Sequence, residues 1–428
     1  MKKRLFCMIL SILLVLLCLP ENVQAAPRVQ KTKSPVIVVL DPGHGGENDG
    51  TTECGFLERE MTLTTAKIMA EELRKFEGIT VYLTRETDVD LSLKDRAKFA
   101  AEKKADFLIS LHYNASESHY LFGSEVWISL NPEYSPAGYQ LGTCFLREFR
   151  DMGLSLRGIK TKRHSKGSDY YGILREAVNL KTNAIIVEHC HVDHAADNGF
   201  CDSQEDLEAF AKADARAVAK YFGLKSSSLG IDYSAEADNL PEVELGTVDH
   251  RAMQDASNPE YCHLSLDKAY YDEDRVEVTI SGKDSDTNLI YYAISYDGGK
   301  TFGDGIPWPE GDILTGEFAG TFKAVIPIPD GTKPNLCVSC SNPYDLNCIS
   351  NVLTFDQVFQ IPEEPSAQPS FEDKTDNVVP ELIEEPVDQT ASETILQLLM
   401  VGVAVVAIIF IPFLIAYLVV KSKKNKEE

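Results

Sequence analysis

The sequence predicts an α/β domain with a largely parallel twisted sheet flanked by helices, followed by a small all-β sandwich and a single C-terminal transmembrane helix. Three observations lead to this fold class. β-Branched apolar runs alternate with helical stretches over residues 35–223, as in βα units with parallel strands. Shorter strand patterns between Gly and Asp turns occupy residues 262–355. An almost uninterrupted apolar run fills residues 395–420.

Four strands of the α/β domain are predicted from short apolar runs, a pattern typical of strands that are buried on both faces. They lie at residues 36–40, 80–83, 107–111 and 184–187. Apolar residues at helical spacing, with few helix breakers, predict helices at residues 61–76, 93–103, 139–152 and 206–222. The alternation implies one sheet flanked by these helices.

Residues 224–261 mix Ser, Asp, Glu and Pro without periodicity, and we predict a linker there. The β-sandwich is predicted from strand patterns at residues 276–280, 290–294 and 322–326. Residues 295–302 resemble the Asp-box of sialidases, and their Asp-Gly-Gly sequence suits a tight hairpin. We interpret this segment as a structural hairpin, and carbohydrate binding by the sandwich remains a hypothesis.

Both ends of the chain carry apolar runs of the kind found in signal peptides and transmembrane helices. Basic residues at 2–4, an apolar run at 5–19 and small residues at 25–26 predict a cleaved signal peptide over residues 1–26. Residues 395–420 are long enough to span a bilayer, and the basic tail 421–428 should stay in the cytoplasm. Residues 356–394 alternate acidic residues with proline, which predicts a solvated stalk. We therefore expect a single-pass protein of the cell membrane, with most of the chain outside.

The formal net charge of -25 excludes one class of partner. Proteins that bind nucleic acid need a clustered basic surface that neutralises phosphates, and no such cluster is visible in this sequence. We therefore expect no nucleic-acid partner.

Eight of the ten cysteines lie beyond the predicted signal peptide, four in each predicted domain. Even numbers in an exported chain allow disulfides within each domain, although free thiols remain open for an anaerobic source. Cys337 and Cys340, together with Cys348 and His263, also allow a zinc knuckle, but export favours the disulfide interpretation.

Three predicted strands lead directly to a side chain suited to metal or acid-base chemistry. These side chains are His44, His112 and Glu188. In open α/β sheets the working crevice lies at the carboxyl ends of the strands, so distant sequence positions converge there. Two histidines and one carboxylate can hold a catalytic zinc ion and leave a fourth position for water. Glu58 and Glu60 are both candidates for the carboxylate, because residues two apart on a helix point in different directions.

The segments around these residues, in this order and at this spacing, resemble the zinc-dependent N-acetylmuramoyl-L-alanine amidases of the type 3 class. The resemblance covers about residues 35–223. It rests on VLDPGHGG at 39–46, LEREMTL at 57–63, LTR at 83–85, SLHYNA at 110–115, RG at 157–158, YGILR at 171–175 and VE at 187–188.

This resemblance implies that His44, Glu58 and His112 bind Zn²⁺ and that Glu188 is the catalytic glutamate, and it favours Glu58 over Glu60. It implies hydrolysis of the amide bond between N-acetylmuramic acid and L-alanine in peptidoglycan, for remodelling or lysis of the cell wall. The partner is then peptidoglycan, and the catalytic domain should face the wall. Other hypotheses are a zinc peptidase or deacetylase that acts on wall material, and a wall-binding protein without activity.

The chain departs from the family pattern directly after Glu188, where residues 189–194 read HCHVDH. The three histidines of this segment allow a second metal site. We favour packing or pocket-lining roles, because a closed site needs four ligands that this segment alone does not assemble. Arg85 and Arg175 are interpreted as partners of carboxylates within the protein, and a bidentate contact with a substrate carboxylate is the alternative.

Overall fold

The α/β domain is built on a six-stranded sheet with the strand order β2-β1-β3-β6-β4-β5. The computed structural model describes residues 35–117, 119–240, 257–309, 311–314 and 317–362. The strands are β1 Val36–Pro42, β2 Ile79–Leu83, β3 Phe107–Asn114, β4 Ser124–Ile128, β5 Leu156–Lys160 and β6 Ala184–His191. Strands β1, β2, β3 and β6 are parallel, whereas β4 pairs with β6 in the antiparallel direction and with β5 in the parallel direction.

Five helices cover this sheet. They are α1 Glu58–Leu73, α2 Leu93–Lys103, α3 Ser135–Met152, α4 Gly172–Asn179 and α5 Gln204–Phe222. Helices α1, α3 and α5 share one apolar core with the sheet, and α2 and α4 share a second core on its other face. The ends of α5 follow from the sequence: Ser203 and Asp206 form a capping box, and Gly223 ends the helix in the left-handed conformation.

The α/β class is confirmed, and β4, β5 and α4 are the elements that the sequence pattern missed. Strand β5 reads LRGIK, and its charged residues argue against a buried strand. Arg157 and Lys160 are nevertheless buried, because both pair with the carboxylate of Glu125 on β4. Charge compensation between neighbouring strands is not visible in a periodicity pattern.

The first part of the predicted linker, residues 224–240, is folded against the α/β domain. Strands β7 Lys225–Ser226 and β8 Ile231–Asp232 form a short hairpin. The Ser226 hydroxyl donates to the carbonyl of Lys75, and Tyr233 stacks on Phe76 at 6.0 Å between ring centroids. This segment therefore packs against the residues that directly follow helix α1.

The second domain contains two antiparallel sheets around one apolar core. One sheet has the order β15-β10-β9 and the other β12-β11-β16-β17, with β18 paired to β16 and a separate β13-β14 hairpin. The strands are β9 Tyr261–Tyr270, β10 Arg275–Lys283, β11 Tyr291–Ser295, β12 Ile306–Pro307, β13 Gly311–Asp312, β14 Glu317–Phe318, β15 Thr321–Pro327, β16 Asn335–Ser341, β17 Asn347–Ile349 and β18 Leu353–Thr354. Phe359 is fully buried in this core, so the domain extends beyond the predicted boundary at residue 355.

The segment that resembles an Asp-box is a structural turn. The Asp297 carboxylate accepts hydrogen bonds from the backbone N–H groups of Lys300 and Thr301 and from the hydroxyls of Ser295 and Thr301. These bonds hold the pKa of Asp297 below its usual range. The carboxylate is thus occupied in stabilising the turn that follows β11.

The C-terminal part of the predicted fold class needs a correction. Within the described ranges, no helix combines the length and the apolar character needed to cross a membrane. Helix α5 has 19 residues, but charged side chains occur along its whole length. The predicted transmembrane helix at 395–420 lies outside the described residues, as do the signal peptide at 1–26, the tail at 421–428 and the stalk beyond residue 362. The fold class is accordingly an α/β domain followed by an all-β domain.

All eight described cysteines are free thiols. Cys340 faces the core of the second domain with Leu336 and Val338, whereas Cys337 lies beside Gly299 outside that set. Because Cys337 and Cys340 point to opposite faces of β16, they do not form the predicted alternative of a zinc knuckle.

Candidate active site

The predicted site residues meet at the carboxyl edge of the sheet. His112 and Glu188 lie near the ends of β3 and β6 and are direct partners in the register of these parallel strands. His44 follows β1 in a loop where its backbone has a φ of 61°. Glu58 is the first residue of α1, which returns to the same edge.

The side chains of His44, Glu58 and His112 form a compact cluster at this edge of the sheet. The Glu58 carboxylate lies between the two imidazoles, with Oε2 at 3.1 Å from His44 Nε2 and Oε1 at 3.0 Å from His112 Nδ1. The two rings meet edge to face at 4.9 Å between centroids. The N–H groups of Thr51 and Tyr113 also donate to Glu58, which fixes the orientation of its carboxylate.

The outer ring nitrogens of both histidines have partners as well. His44 Nδ1 lies 2.9 Å from Asn48 Oδ1, and His112 Nε2 lies 3.2 Å from Ser110 Oγ. Ser110 in turn donates to the buried carboxylate of Asp41. Such contacts hold an imidazole in one orientation and leave its other nitrogen free to bind a metal ion. Sequence reasoning missed Asn48 and Ser110, although Ser110 is two residues before His112 and so faces the same side of β3.

The charge of the cluster favours a cation. Burial alone would raise the pKa of Glu58, but the hydrogen bonds from His112 and His44 outweigh it and hold this pKa well below its usual range. Burial opposes protonation of His44, and the contact with Glu58 outweighs burial and raises its pKa. Glu58 therefore carries a negative charge in a nearly enclosed position, where a cation neutralises it.

Two histidine nitrogens and one carboxylate oxygen, all within 4.8 Å of one another, form the donor set of this cluster. This donor set is known for catalytic zinc. Among the described residues it is the only group of three or more such side chains close enough to hold a metal ion. The residues present therefore fit a zinc ion by number, type and charge.

Glu188 lines the same cleft as His44, Glu58 and His112, and the cleft has a volume of about 520 Å³. Burial raises the pKa of Glu188 well above its ordinary value, and the carboxylates of Glu58 and Glu125 add to this effect. Lys160 acts in the opposite direction. A glutamate placed beside a metal site can accept a proton and return it, as a general base and acid.

The structure separates Glu58 from the alternative Glu60, which is exposed and lies outside the cluster. Arg85 and Arg175, which were predicted to pair with carboxylates, donate to backbone carbonyls instead. Buried Arg85 donates to the carbonyls of Pro42, Gly43 and Arg59 and so holds the loop that carries His44. Arg175 donates to the carbonyls of Asp169 and Tyr170.

The three histidines that follow Glu188 do not gather around one point. His189 is fully buried between the carbonyl of His112 and the carboxylate of Asp214, at 2.8 and 2.9 Å. His191 Nδ1 lies 3.1 Å from the carbonyl of Gly123, and burial lowers its pKa to about 4. His194 stacks on Phe122 at 4.7 Å. These contacts favour packing roles over a second metal site.

Comparisons with known proteins agree on the family that this chain resembles. Residues 38–220 match the family described as Amidase_3, N-acetylmuramoyl-L-alanine amidase. The sporulation-specific N-acetylmuramoyl-L-alanine amidase of Bacillus subtilis (strain 168) is 28% identical over 228 residues, which cover 53% of this chain and 81% of that relative. The endolysin of Bacillus phage SPP1 is 28% identical over 196 residues, or 45% of this chain and 69% of the endolysin.

Among solved structures, Cwp6 from Clostridium difficile is 29% identical with a TM-score of 0.41, over 44% of this chain and 29% of that chain. The matched part is thus less than a third of the Cwp6 chain, whereas it is most of the two curated relatives. The family match confirms the family predicted from the motifs. Residues 38–220 of this chain thus match the N-acetylmuramoyl-L-alanine amidase family of enzymes.

Proposed function

We propose that this protein hydrolyses the amide bond between N-acetylmuramic acid and L-alanine in peptidoglycan, with a zinc ion held by His44, Glu58 and His112. Glu188 is the general base and acid of the proposed reaction. The observation that carries this proposal is the convergence of these four side chains in one cleft from four separate segments of the chain.

A zinc ion bound to this cluster would supply Lewis-acid polarisation of the amide carbonyl and would lower the pKa of water. The residues of the chain then have distinct roles. Glu58 supplies the negative charge that the ion requires, and Asn48 and Ser110 hold the two imidazoles in place. Arg85 keeps the loop after β1 in position through its backbone contacts.

Glu188 moves one proton in this scheme. Its carboxylate accepts a proton from the attacking water as the oxygen of that water bonds to the amide carbon. Glu188 then returns the proton to the amide nitrogen as the carbon–nitrogen bond breaks. The products are a carboxylate on the lactyl group and a stem peptide with a free alanine amine.

The experiment is digestion of purified peptidoglycan by the protein, with mass spectrometry of the released fragments and measurement of bound zinc. Glu188→Gln keeps the shape of the side chain and removes its basicity, so we expect activity to fall by about 100- to 10,000-fold. Zinc content should stay unchanged, because Glu188 is not a member of the cluster. Glu71→Gln, at an exposed position on α1, is the matched control and should keep full activity.

The fragments also test the alternatives. Stem peptides with free N-terminal alanine from the wild type support the amidase. Released acetate would indicate a deacetylase, and cleavage within the stem peptide would indicate a peptidase. Zinc-loaded protein that releases nothing would contradict hydrolysis and favour a wall-binding function.

The place of action follows from the proposed substrate. Peptidoglycan lies outside the cytoplasmic membrane, so the proposal includes export of the catalytic domain to the side of the cell wall. The role is remodelling or lysis of that wall.

A further inference from the structure

Strand β6 is irregular directly after Glu188. The register pairs His112 of β3 with Glu188, and the next pair joins Asn114 to His191. Two residues of β6 therefore lie opposite one residue of β3, which is the arrangement of a β-bulge. A bulge interrupts the ladder of backbone hydrogen bonds and changes the direction of the side chains beside it. The way in which this bulge is held therefore decides where the carboxylate of Glu188 points.

The imidazole of His189, inside the bulge, joins β6 to β3 and to helix α5. Its Nδ1 atom lies 2.8 Å from the carbonyl oxygen of His112, and its Nε2 atom lies 2.9 Å from the carboxylate of Asp214 on α5. Because a carbonyl oxygen only accepts, Nδ1 is a nitrogen that donates, and the contact with Asp214 fixes the orientation of the ring. His189 and Asp214 are both fully buried, so water does not compete for these bonds.

The surroundings of His189 leave its ring and its backbone little freedom. The ring stacks on Tyr113 at 4.7 Å and meets Phe210 edge to face at 4.9 Å between centroids. The Ser124 hydroxyl on β4 donates to the carbonyl of His189 at 2.5 Å. His189 thus faces the apolar core, whereas Glu188 lines the catalytic cleft. His189 therefore acts on Glu188 through the backbone that the two residues share.

We propose that His189, held by Asp214, is a positioning residue for the amidase reaction. It fixes the general base Glu188 relative to His112, and so relative to the candidate metal site. The inference rests on the proposed function, since it concerns how one group of that reaction is held. His189 faces away from the cleft, so its loss should lower kcat and leave KM nearly unchanged.

The test measures kcat and KM of the full chain on soluble peptidoglycan fragments. His189→Phe keeps the ring packing and removes both hydrogen bonds, so we expect kcat to fall by about 10- to 100-fold. His189→Asn can still donate to the carbonyl of His112 through its amide, so its kcat should be several-fold higher than that of His189→Phe. Zinc content should stay unchanged in both variants, because His189 is not a member of the metal cluster.

His194→Phe is the matched control. It makes the same replacement in the same segment, and a phenylalanine can keep the stacking on Phe122. We expect the kcat of wild type from this variant. Should His189→Phe not fold, as its melting temperature would show, Asp214→Asn takes its place. That variant keeps the shape of the side chain and weakens the hold on the ring, so kcat should fall several-fold at constant KM.

Amide hydrogen exchange gives a readout that does not depend on activity. Exchange at residues 112–114 and 188–191 should be about tenfold faster in His189→Phe than in wild type, because the bulge has lost its connection to α5. In His194→Phe, exchange at these residues should not change.

Three results would overturn the positioning role. They are an unchanged kcat in His189→Phe, a fall in kcat that is explained by lost zinc, and an equal fall in His189→Asn. A wild type that cuts no amide bond contradicts the proposed function, and hydrogen exchange then decides the role of His189. Unchanged exchange in His189→Phe would overturn that role, and faster exchange at the bulge would support it without the reaction.

Discussion

Gly43 and Gly50 lie in direct contact with the side chains of the candidate metal site. A Cβ atom on Gly43 would lie 2.3 Å from the ring of His112. A Cβ atom on Gly50 would lie 2.4 Å from Glu58 Oε2 and 2.8 Å from the ring of His44, and Gly50 has a φ of +72°. His44, Glu58 and His112 can therefore approach one another only because Gly43 and Gly50 have no side chain.

Gly50→Ala tests whether the absence of a side chain at this position is needed for metal binding. We expect zinc affinity to fall by about 10- to 100-fold, as for other changes that displace a ligand without removing it. Amidase activity should fall with it. The measurement is zinc retained after dialysis, by elemental analysis, together with the rate of peptidoglycan digestion.

Gly55→Ala is the control for Gly50→Ala, since Gly55 has a φ of +83° and nothing lies within 4 Å of an added Cβ. Both variants carry the backbone cost of a left-handed alanine, about 1–2 kcal/mol. Only Gly50→Ala crowds the ligands. Equal loss of zinc in the two variants would show that backbone strain, and not contact with Glu58 and His44, is responsible.

At the scale of secondary structure elements, a buried ion network joins the edge strands β4 and β5. Glu125 on β4 accepts from Arg157 and Lys160 on β5. Burial would raise the pKa of Glu125, but Lys160 and Arg157 outweigh it and lower the pKa to about 2. The network therefore depends on an ionised carboxylate.

Glu125→Gln would leave two buried cations without their shared carboxylate. We expect a loss of about 3–5 kcal/mol in the free energy of unfolding at neutral pH. The pKa of Glu125 is lowered by folding, so its stabilisation is present above the ordinary value of 4.5 and is lost as the pH falls toward 2. The difference between wild type and variant should therefore shrink in that range. Urea unfolding at several pH values measures it.

Glu102→Gln is the control for Glu125→Gln. Glu102 makes only an exposed pair with Lys98 on α2, and its loss should cost less than about 1 kcal/mol at any pH. A Glu125→Gln variant whose deficit is the same at acidic and neutral pH would contradict an ionised Glu125 in the folded protein.

At the scale of the whole molecule, the all-β domain contributes to the region beside the catalytic cleft. Arg157 pairs with Asp345, and Lys160 Nζ donates to the carbonyl of Pro343 at 2.9 Å. The hydroxyl of Tyr344 donates to the carbonyl of Thr161 at 3.1 Å. These contacts place one turn of the second domain on the part of the sheet that lies next to Glu188 and Glu125.

The proposed place of action is also a property of the whole molecule. Protease added to intact cells with a loosened wall should digest the protein, because its domains are expected on the outer side of the membrane. A cytoplasmic enzyme that stays intact serves as the control for membrane integrity. Protection of the protein until the membrane is broken would contradict export. Immunoblotting of both proteins gives the result.

Sequence patterns alone predicted the α/β class, most of the buried strands, and the positions of His44, His112 and Glu188 at strand ends. These features depend on local periodicity and on the rule that parallel strands end at one edge. Two other features depend on contacts between distant parts of the chain and required the three-dimensional structure. It placed Glu58 and not Glu60 between the histidines, because only Glu58 faces the sheet edge from the first turn of α1. It buried Arg157 and Lys160 in β5, because the carboxylate that compensates them comes from Glu125, more than thirty residues earlier in the chain.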